Sequence, residues 1–153
     1  MSDESILQRI QSDMAAAMKA RDADTLSTLR MLKAALLEVK TRKAKDAVLS
    51  DDEEVEVLQR YAKKRRETIE ELKRVSRDDL VHREEQEIAV TQRYLPQMLS
   101  EEDLRVVVRE AVAKTGAAGP KDMGRVMGAV MAQVKGRADG STVSRLVKES
   151  LGS

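Results

Sequence analysis

Apolar residues recur three and four positions apart through almost the whole chain, and this spacing constrains the fold most. Such a period places side chains on one face of an α-helix, whereas a half-buried strand needs strict alternation of apolar and polar residues. The only aromatic residues are Tyr61 and Tyr94, so the core must be aliphatic, which favours helix over sheet. We therefore predict an all-α protein.

Capping signals mark the ends of the first helices. The first helix is predicted to end near Arg21, and Asp24 is predicted to cap the second. Ser50, with Glu53 three residues later, forms a capping-box pattern that opens a long third helix. These helices and a fourth, predicted from about 78 to 93, make up a long-helix N-terminal subdomain.

Proline and serine mark the organisation of the second part of the chain. Pro96 lacks a backbone donor and disfavours helix in the residue before it, so we place the domain boundary there. The predicted domains are residues 1–95 and residues 96–153, the second being a small C-terminal helical subdomain. Ser100 is predicted to start its first helix, and two short helices follow within 120–151.

The composition argues against several kinds of site. With no Cys and one His, the chain can build neither a disulfide nor a zinc site of the Cys/His type. No stretch approaches the roughly 20 apolar residues of a membrane-spanning helix, and the acidic N-terminus is unlike a signal peptide. We predict a cytoplasmic protein with no metal, no cofactor and no membrane partner.

No catalytic pattern stands out either. His82 lies in a charged helical run without an accompanying nucleophile, which favours an exposed helix position over a general base. The turn at 136–140 lacks the spacing and the preceding strand of a phosphate-binding loop. The acidic run 51–54 is what a first helical turn is expected to carry, rather than a cation site. We predict that the chain is not an enzyme.

Two basic clusters could contact phosphates. The run 63–66 is the denser, but the spacings Lys63 to Glu67 and Arg66 to Glu70 are typical of ion pairs along a solvated helix, which we favour there. The segment 120–151 instead carries six basic residues against three acidic ones, in a chain that has 28 basic and 27 acidic residues overall. Its positive charge is concentrated around a glycine-bounded turn between two short helices.

Small residues form a stripe along the sixth predicted helix. Gly124, Gly128 and Ala132 lie beside its apolar face, and glycine lets another backbone approach closely because it has no Cβ. We expect a neighbouring helix to pack there, so that a bulky residue at Gly128 destabilises this subdomain by about 1 to 3 kcal/mol. An exposed stripe would instead be a candidate docking surface for a protein partner.

Three segments resemble the YqeY-like family, and the match runs essentially end to end. The C-terminal one is also similar to the tail domain of the B subunit of the tRNA-dependent amidotransferase. That domain has a glycine-containing helix, a turn like Lys135 to Ala138 and a final helix like Val143 to Val147. The segments are STLRMLKAAL from Ser27, YLP from Tyr94, and MGRVMGAVMAQVKGRADGSTVSRLVKESL from Met123.

The resemblance implies a helical N-terminal subdomain, a small helical tail, and contact with the outer corner of tRNA in proteins where the module is fused to an amidotransferase subunit or to some glutaminyl-tRNA synthetases. This sequence contains no catalytic subunit, and the family is associated with carbon–nitrogen ligases through such fused enzymes. We therefore expect a non-catalytic tRNA-binding module that assists a glutamine-dependent amidotransferase or an aminoacyl-tRNA synthetase in trans. The alternative is a helical protein-interaction adaptor without RNA binding. The predicted RNA-binding residues are Lys135, Arg137, Arg145 and Lys148, with Lys121 and Arg125 as weaker candidates.

Overall fold

The computed structural model describes residues 4–152, and over that range the protein is all-α, as predicted. Seven α-helices follow one another without a strand in this range, and two short 3₁₀ turns lead into the fourth and sixth helices. The helices are α1 (Ile6–Lys19), α2 (Ala23–Thr41), α3 (Asp51–Arg74), α4 (Val81–Gln92), α5 (Glu101–Thr115), α6 (Met123–Val134) and α7 (Gly140–Leu151). The 3₁₀ turns are Asp78–Leu80 and Pro120–Asp122.

The chain divides into two compact units, one ending at Leu95 and the other beginning at Pro96. Each unit has its own aliphatic core, built from the periodic positions of its helices. Helices α1 to α4 bury Ile6, Ile10, Ala17, Leu29, Leu32, Leu36, Val57, Leu58, Val90 and Tyr94. Helices α5 to α7 bury Leu104, Val108, Ala111, Val126, Val130, Val134, Val143, Leu146, Val147 and Leu151.

Side chains of the preceding residue cap the starts of four helices, α1, α2, α3 and α5. Ser50 and Glu53 form the predicted capping box, because the Ser50 hydroxyl accepts the Glu53 amide at 3.2 Å and the Glu53 carboxylate accepts the Ser50 amide at 3.0 Å. Asp22, rather than Asp24, caps α2, since its carboxylate accepts the amide three residues later at 3.1 Å. Arg21, between the two helices, has a φ of 56° in the left-handed region, and α2 begins at Ala23, earlier than the sequence indicated.

A buried carboxylate joins α3 to the start of α1. Glu54 is only 1% exposed. Its two carboxylate oxygens accept hydrogen bonds from the amides of Ile6 at 3.1 Å and Leu7 at 2.8 Å. Amides in the first turn of a helix have no partner within that helix. Glu54 therefore caps α1 from another helix, a role beyond the one expected for a carboxylate at the start of α3.

The small-residue stripe of α6 is exposed, so the prediction that a helix packs closely on it was wrong. No heavy atom beyond the local helix backbone lies within 4 Å of the position that a Cβ would take at Gly124 or Gly128, and Ala132 is exposed too. The valines of α6 occupy the buried face instead and fill the contacts with α5 and α7. These valines are Val126, Val130 and Val134.

We expect Gly128→Ala to stabilise the protein by about 0.5 to 1 kcal/mol, because alanine loses less backbone freedom in a helix and its Cβ meets open space. Urea denaturation of both proteins measures the change. Gly116→Ala is the matched control and should destabilise, because Gly116 ends α5 with a φ of +68°. A lower stability of Gly128→Ala would show that the stripe is packed after all.

Candidate nucleic-acid interface

The turn between α6 and α7 presents a lysine in an unusual backbone conformation. Lys135 has a φ of 36° and the next residue, Gly136, a φ of 79°. The amide of Arg137 donates to the carbonyl of Val134 at 2.9 Å and closes a turn whose two central residues both have positive φ, as in a type I′ turn. The Lys135 side chain is exposed and has no hydrogen-bond or ion-pair partner among the described residues.

Arg137 connects this turn to the segment that precedes α5. Its Nε donates to the carbonyl of Gln97 at 2.9 Å, and its own carbonyl accepts the amide of Leu99 at 2.8 Å. The Arg137 side chain is exposed and forms no ion pair with a carboxylate of the described chain. Backbone and side-chain contacts of Arg137 therefore hold the turn against the segment before α5.

The start of α7 lies directly after this turn. Its first turn contains no acidic residue, and no side chain accepts its free amides. The N-terminus of a helix carries a partial positive charge and favours an anion. Asp139 occupies the capping position, but its carboxylate accepts a hydrogen bond from the Ser141 hydroxyl instead.

Arg145, predicted to contact RNA, lies in an ionic network between α5 and α7. Its guanidinium donates to Glu101 at 2.9 Å and to Glu149 at 3.2 Å. Arg105 contacts the same two carboxylates, each at 3.0 Å. The hydrogen bond from Arg145 holds the pKa of Glu101 below its ordinary value, and the same contact raises the pKa of Arg145. A phosphate would have to compete with two carboxylates for this side chain.

The sequence reasoning missed Arg105 as a member of this network. The spacing of Glu101 and Arg105, four residues apart on α5, was the available signal for one of its ion pairs. The pairs to α7 depend on the packing of two helices that are remote in sequence. No local pattern reports that packing.

Two predicted cations lie at the other end of α6. Lys121, in the 3₁₀ turn before α6, is exposed and has no side-chain partner among the described residues. Arg125 donates to Asp122 at 3.0 Å. The pKa of Asp122 is lowered by the hydrogen bond from the Ala118 amide and by Arg125. Since α6 is about 18 Å long, Lys121 and Lys135 lie at opposite ends of one helix and not in one cluster.

The last predicted cation, Lys148, lies exposed near the end of α7, one turn beyond Arg145. Its position agrees with the predicted helical face, because Val143 and Val147 point into the core on the other side. The six predicted residues therefore lie in three places. Lys135 and Arg137 lie at the α6–α7 turn, Lys121 and Arg125 at the start of α6, and Arg145 and Lys148 along α7.

The basic run 63–66 on α3 lies mostly on a solvated helix face, as predicted, but without the predicted ion pairs. Neither predicted ion pair, Lys63 to Glu67 or Arg66 to Glu70, forms. Arg65 turns towards α4, where it lies 3.5 Å from Glu84. The other three basic side chains of the run are exposed.

None of the helices in residues 4–152 has the length and apolar character needed to cross a membrane. Within the same range, no group of three or more His, Asp or Glu side chains is arranged to hold a metal ion.

Comparison with known proteins places this helical arrangement in a family. The family model described as "Yqey-like protein" matches residues 7–151. The chain belongs to the YqeY-like family. The match includes α2 to α7 and all of α1 except its first residue, so the family resemblance seen in the sequence is confirmed for both units.

Two fungal proteins are similar to this YqeY-like chain. "Altered inheritance of mitochondria protein 41, mitochondrial" of Pyrenophora tritici-repentis is 29% identical over 150 residues, which are 96% of this chain and 81% of that protein. "Uncharacterized protein C22F3.15" of Schizosaccharomyces pombe is 32% identical over 92 residues, which are 60% of this chain and 72% of that protein.

Proposed function

We propose that this YqeY-like protein is a non-catalytic RNA-binding module whose C-terminal unit binds the phosphate backbone of tRNA. The observation that carries the proposal is the α6–α7 turn, where an exposed lysine, which has no partner among the described residues, is followed five residues later by a helix N-terminus without a side-chain cap. Cations and backbone amides are the two groups that bind phosphate oxygens at such positions. The similarity of this segment to the amidotransferase tail domain supports tRNA as the ligand.

The positions of the aromatic residues favour a folded RNA over a single strand as the proposed ligand. Proteins that bind single strands stack bases on aromatic side chains. The C-terminal unit has none, because Tyr61 and Tyr94 both belong to the other unit and Tyr94 is 4% exposed. Recognition by shape and phosphate spacing, which suits a structured RNA, agrees better with this surface.

The proposed partner enzyme is a glutamine-dependent tRNA amidotransferase or an aminoacyl-tRNA synthetase that the module assists in trans. The exposed stripe of Gly124, Gly128 and Ala132 favours the second candidate function, a helical adaptor that binds protein and not RNA. Purification of the tagged full-length protein, followed by identification of both bound RNA and bound protein, separates the two.

The proposed location is the cytoplasm. The name of the Pyrenophora relative assigns that protein to mitochondria, so the organelle is the competing location. Imaging of the full-length protein with a C-terminal fluorescent tag decides between them, because retention in the cytosol supports the proposal and co-localisation with a mitochondrial dye refutes it.

Two double variants test RNA binding with matched charge changes. Lys121→Ala with Lys135→Ala should weaken the binding of a fluorescently labelled tRNA about 100-fold, because two exposed phosphate contacts of about tenfold each are lost. The slope of log affinity against log salt should become shallower by about 2. Lys63→Ala with Lys64→Ala removes the same charge from the other unit and should leave affinity and slope nearly unchanged.

Absence of tRNA binding by the wild-type protein at low salt would refute the proposed function. Equal losses from the two double variants would mean that RNA is attracted by net charge alone, and the C-terminal unit would lose its assignment as the binding surface.

A further inference from the structure

We infer that Arg137 is a positioning residue for RNA, not a phosphate contact, and that it acts through Lys135. This inference rests on the proposed function and assigns separate roles to two residues of the same turn. Arg137 makes three contacts that fix the turn: its amide to Val134, its carbonyl to the Leu99 amide, and its Nε to the Gln97 carbonyl.

The conformation of Lys135 explains why the turn needs such a clamp. A non-glycine residue with a φ of 36° is strained, and strain of this kind persists only where the surroundings impose it. Lys135 is one of the two central residues of the turn, and the hydrogen bond of 2.9 Å from the Arg137 amide to the Val134 carbonyl closes that turn. The contacts of Arg137 to residues 97–99 then fix this closed turn against the segment before α5. The backbone of Lys135 is thereby held in one conformation, five residues before the first residue of α7.

The structure offers a pair of substitutions that isolates the contact to Gln97. In Arg137→Gln, the side-chain nitrogen occupies the same place along the side chain as the arginine Nε, so the donor to the Gln97 carbonyl is kept and the charge is lost. In Arg137→Met, a methyl group stands at that place, so both the donor and the charge are lost. The two variants have side chains of the same length and both lack the charge, but only glutamine carries an amide that can donate to the Gln97 carbonyl.

Titration of labelled tRNA against wild type, both variants, Lys135→Ala and the double variant Lys135→Ala/Arg137→Met tests the inference. Arg137→Gln should bind within about twofold of wild type and with an unchanged salt slope. Arg137→Met should lose about tenfold in affinity, with a slope about 1 shallower, as Lys135→Ala does. The double variant should be no weaker than Lys135→Ala, because residues that act as one unit are not additive.

A loss of slope in Arg137→Gln, or additive losses in the double variant, would overturn the inference by showing that the guanidinium contacts phosphate itself. Amide hydrogen exchange of the free protein gives a second readout. Exchange of the Leu99 and Arg137 amides should be faster in Arg137→Met and unchanged in Arg137→Gln. Equal protection in all proteins would overturn the clamp, whereas failure of wild type to bind tRNA with the clamp intact would refute only the proposed function.

Discussion

Glu54→Ala is expected to lower the free energy of unfolding by about 3 kcal/mol. The substitution leaves the amides of Ile6 and Leu7 without their acceptor, and hydrogen bonds to a charged group contribute about 1.5 to 3 kcal/mol each. The expected loss is at the lower end of the sum of two such bonds, because Leu7 is only half-buried and water can reach its amide in part. Chemical denaturation followed by circular dichroism measures the change.

Two further variants identify the cause of this loss. Glu54→Gln should lose less, since an amide oxygen can still accept one of the two hydrogen bonds. Asp52→Ala removes an exposed carboxylate from the same first turn of α3 and should cost about 0.5 kcal/mol through the helix dipole alone. If Glu54→Ala and Asp52→Ala were equally destabilising, the contact from α3 to α1 would have no special role.

Arg65→Met is expected to destabilise the protein by about 2 to 3 kcal/mol at neutral pH. Arg65 is the cation between Glu84 at 3.5 Å and Glu87 at 3.8 Å, and the three side chains are 21%, 16% and 15% exposed. Removing one partner of a buried ion pair typically costs about 3 to 5 kcal/mol, and the partial exposure here lowers the expected cost. Methionine keeps part of the apolar stem but removes the guanidinium, whose Cζ lies 5.2 Å from the centroid of the Tyr61 ring.

A second substitution should reverse most of that loss. In the wild type, Arg65 Nε and Glu84 Oε2 are buried without hydrogen-bond partners, so this ion pair is not an optimal one. Replacing both members of such a pair by hydrophobic residues of similar volume is often close to neutral for stability. Arg65→Met combined with Glu84→Met is therefore expected to recover most of the wild-type stability, and an additive loss would contradict this account.

The pH dependence of this cluster has a definite sign. Burial raises the pKa of Glu84 above the ordinary value of 4.5, so its folded form holds a proton more readily than its unfolded form does. Its stabilising contribution is fully present below pH 4.5 and is lost as the pH rises through the raised pKa. The loss caused by Arg65→Met should accordingly be smaller near pH 4.5 than at pH 7, as denaturation at the two pH values measures.

The hydroxyl of Tyr61 completes the same cluster. It donates to Glu87 at 3.2 Å, and burial, followed by the charge of Glu87, raises its pKa to about 12. Tyr61 therefore stays protonated over the pH range of these measurements. Glu87 keeps this donor when Arg65 is replaced.

The helices could be predicted because their signals are local. The capping box of Ser50 and Glu53 and the N-cap at Ser100 are read within four residues of sequence, and both are present in the structure. The long-range contacts had no such signal. Glu54 looked like any acid of a first helical turn, yet it caps a helix 47 residues away. Its role depends on how α1 packs against α3.

The candidate site shows the same division. The positive charge and the glycine-bounded turn could be seen in the sequence, whereas the pairing of Arg145 with Glu101 and Glu149 could not. The prediction for the small-residue stripe of α6 was wrong because the same spacing of small residues occurs on helix faces that pack against a neighbour and on faces exposed to solvent. The valines of α6 form its buried face, because their larger apolar side chains fill the core of the C-terminal unit.

Acetylation footprinting of lysines with and without tRNA, read by mass spectrometry on the wild-type protein, tests the central claim most directly. All four lysines of interest, Lys63, Lys64, Lys121 and Lys135, are exposed and therefore open to the reagent in the free protein. We predict that tRNA protects Lys135 most and Lys121 next, while Lys63 and Lys64 react as before. Protection of Lys63 and Lys64 with none at Lys135 would contradict the account.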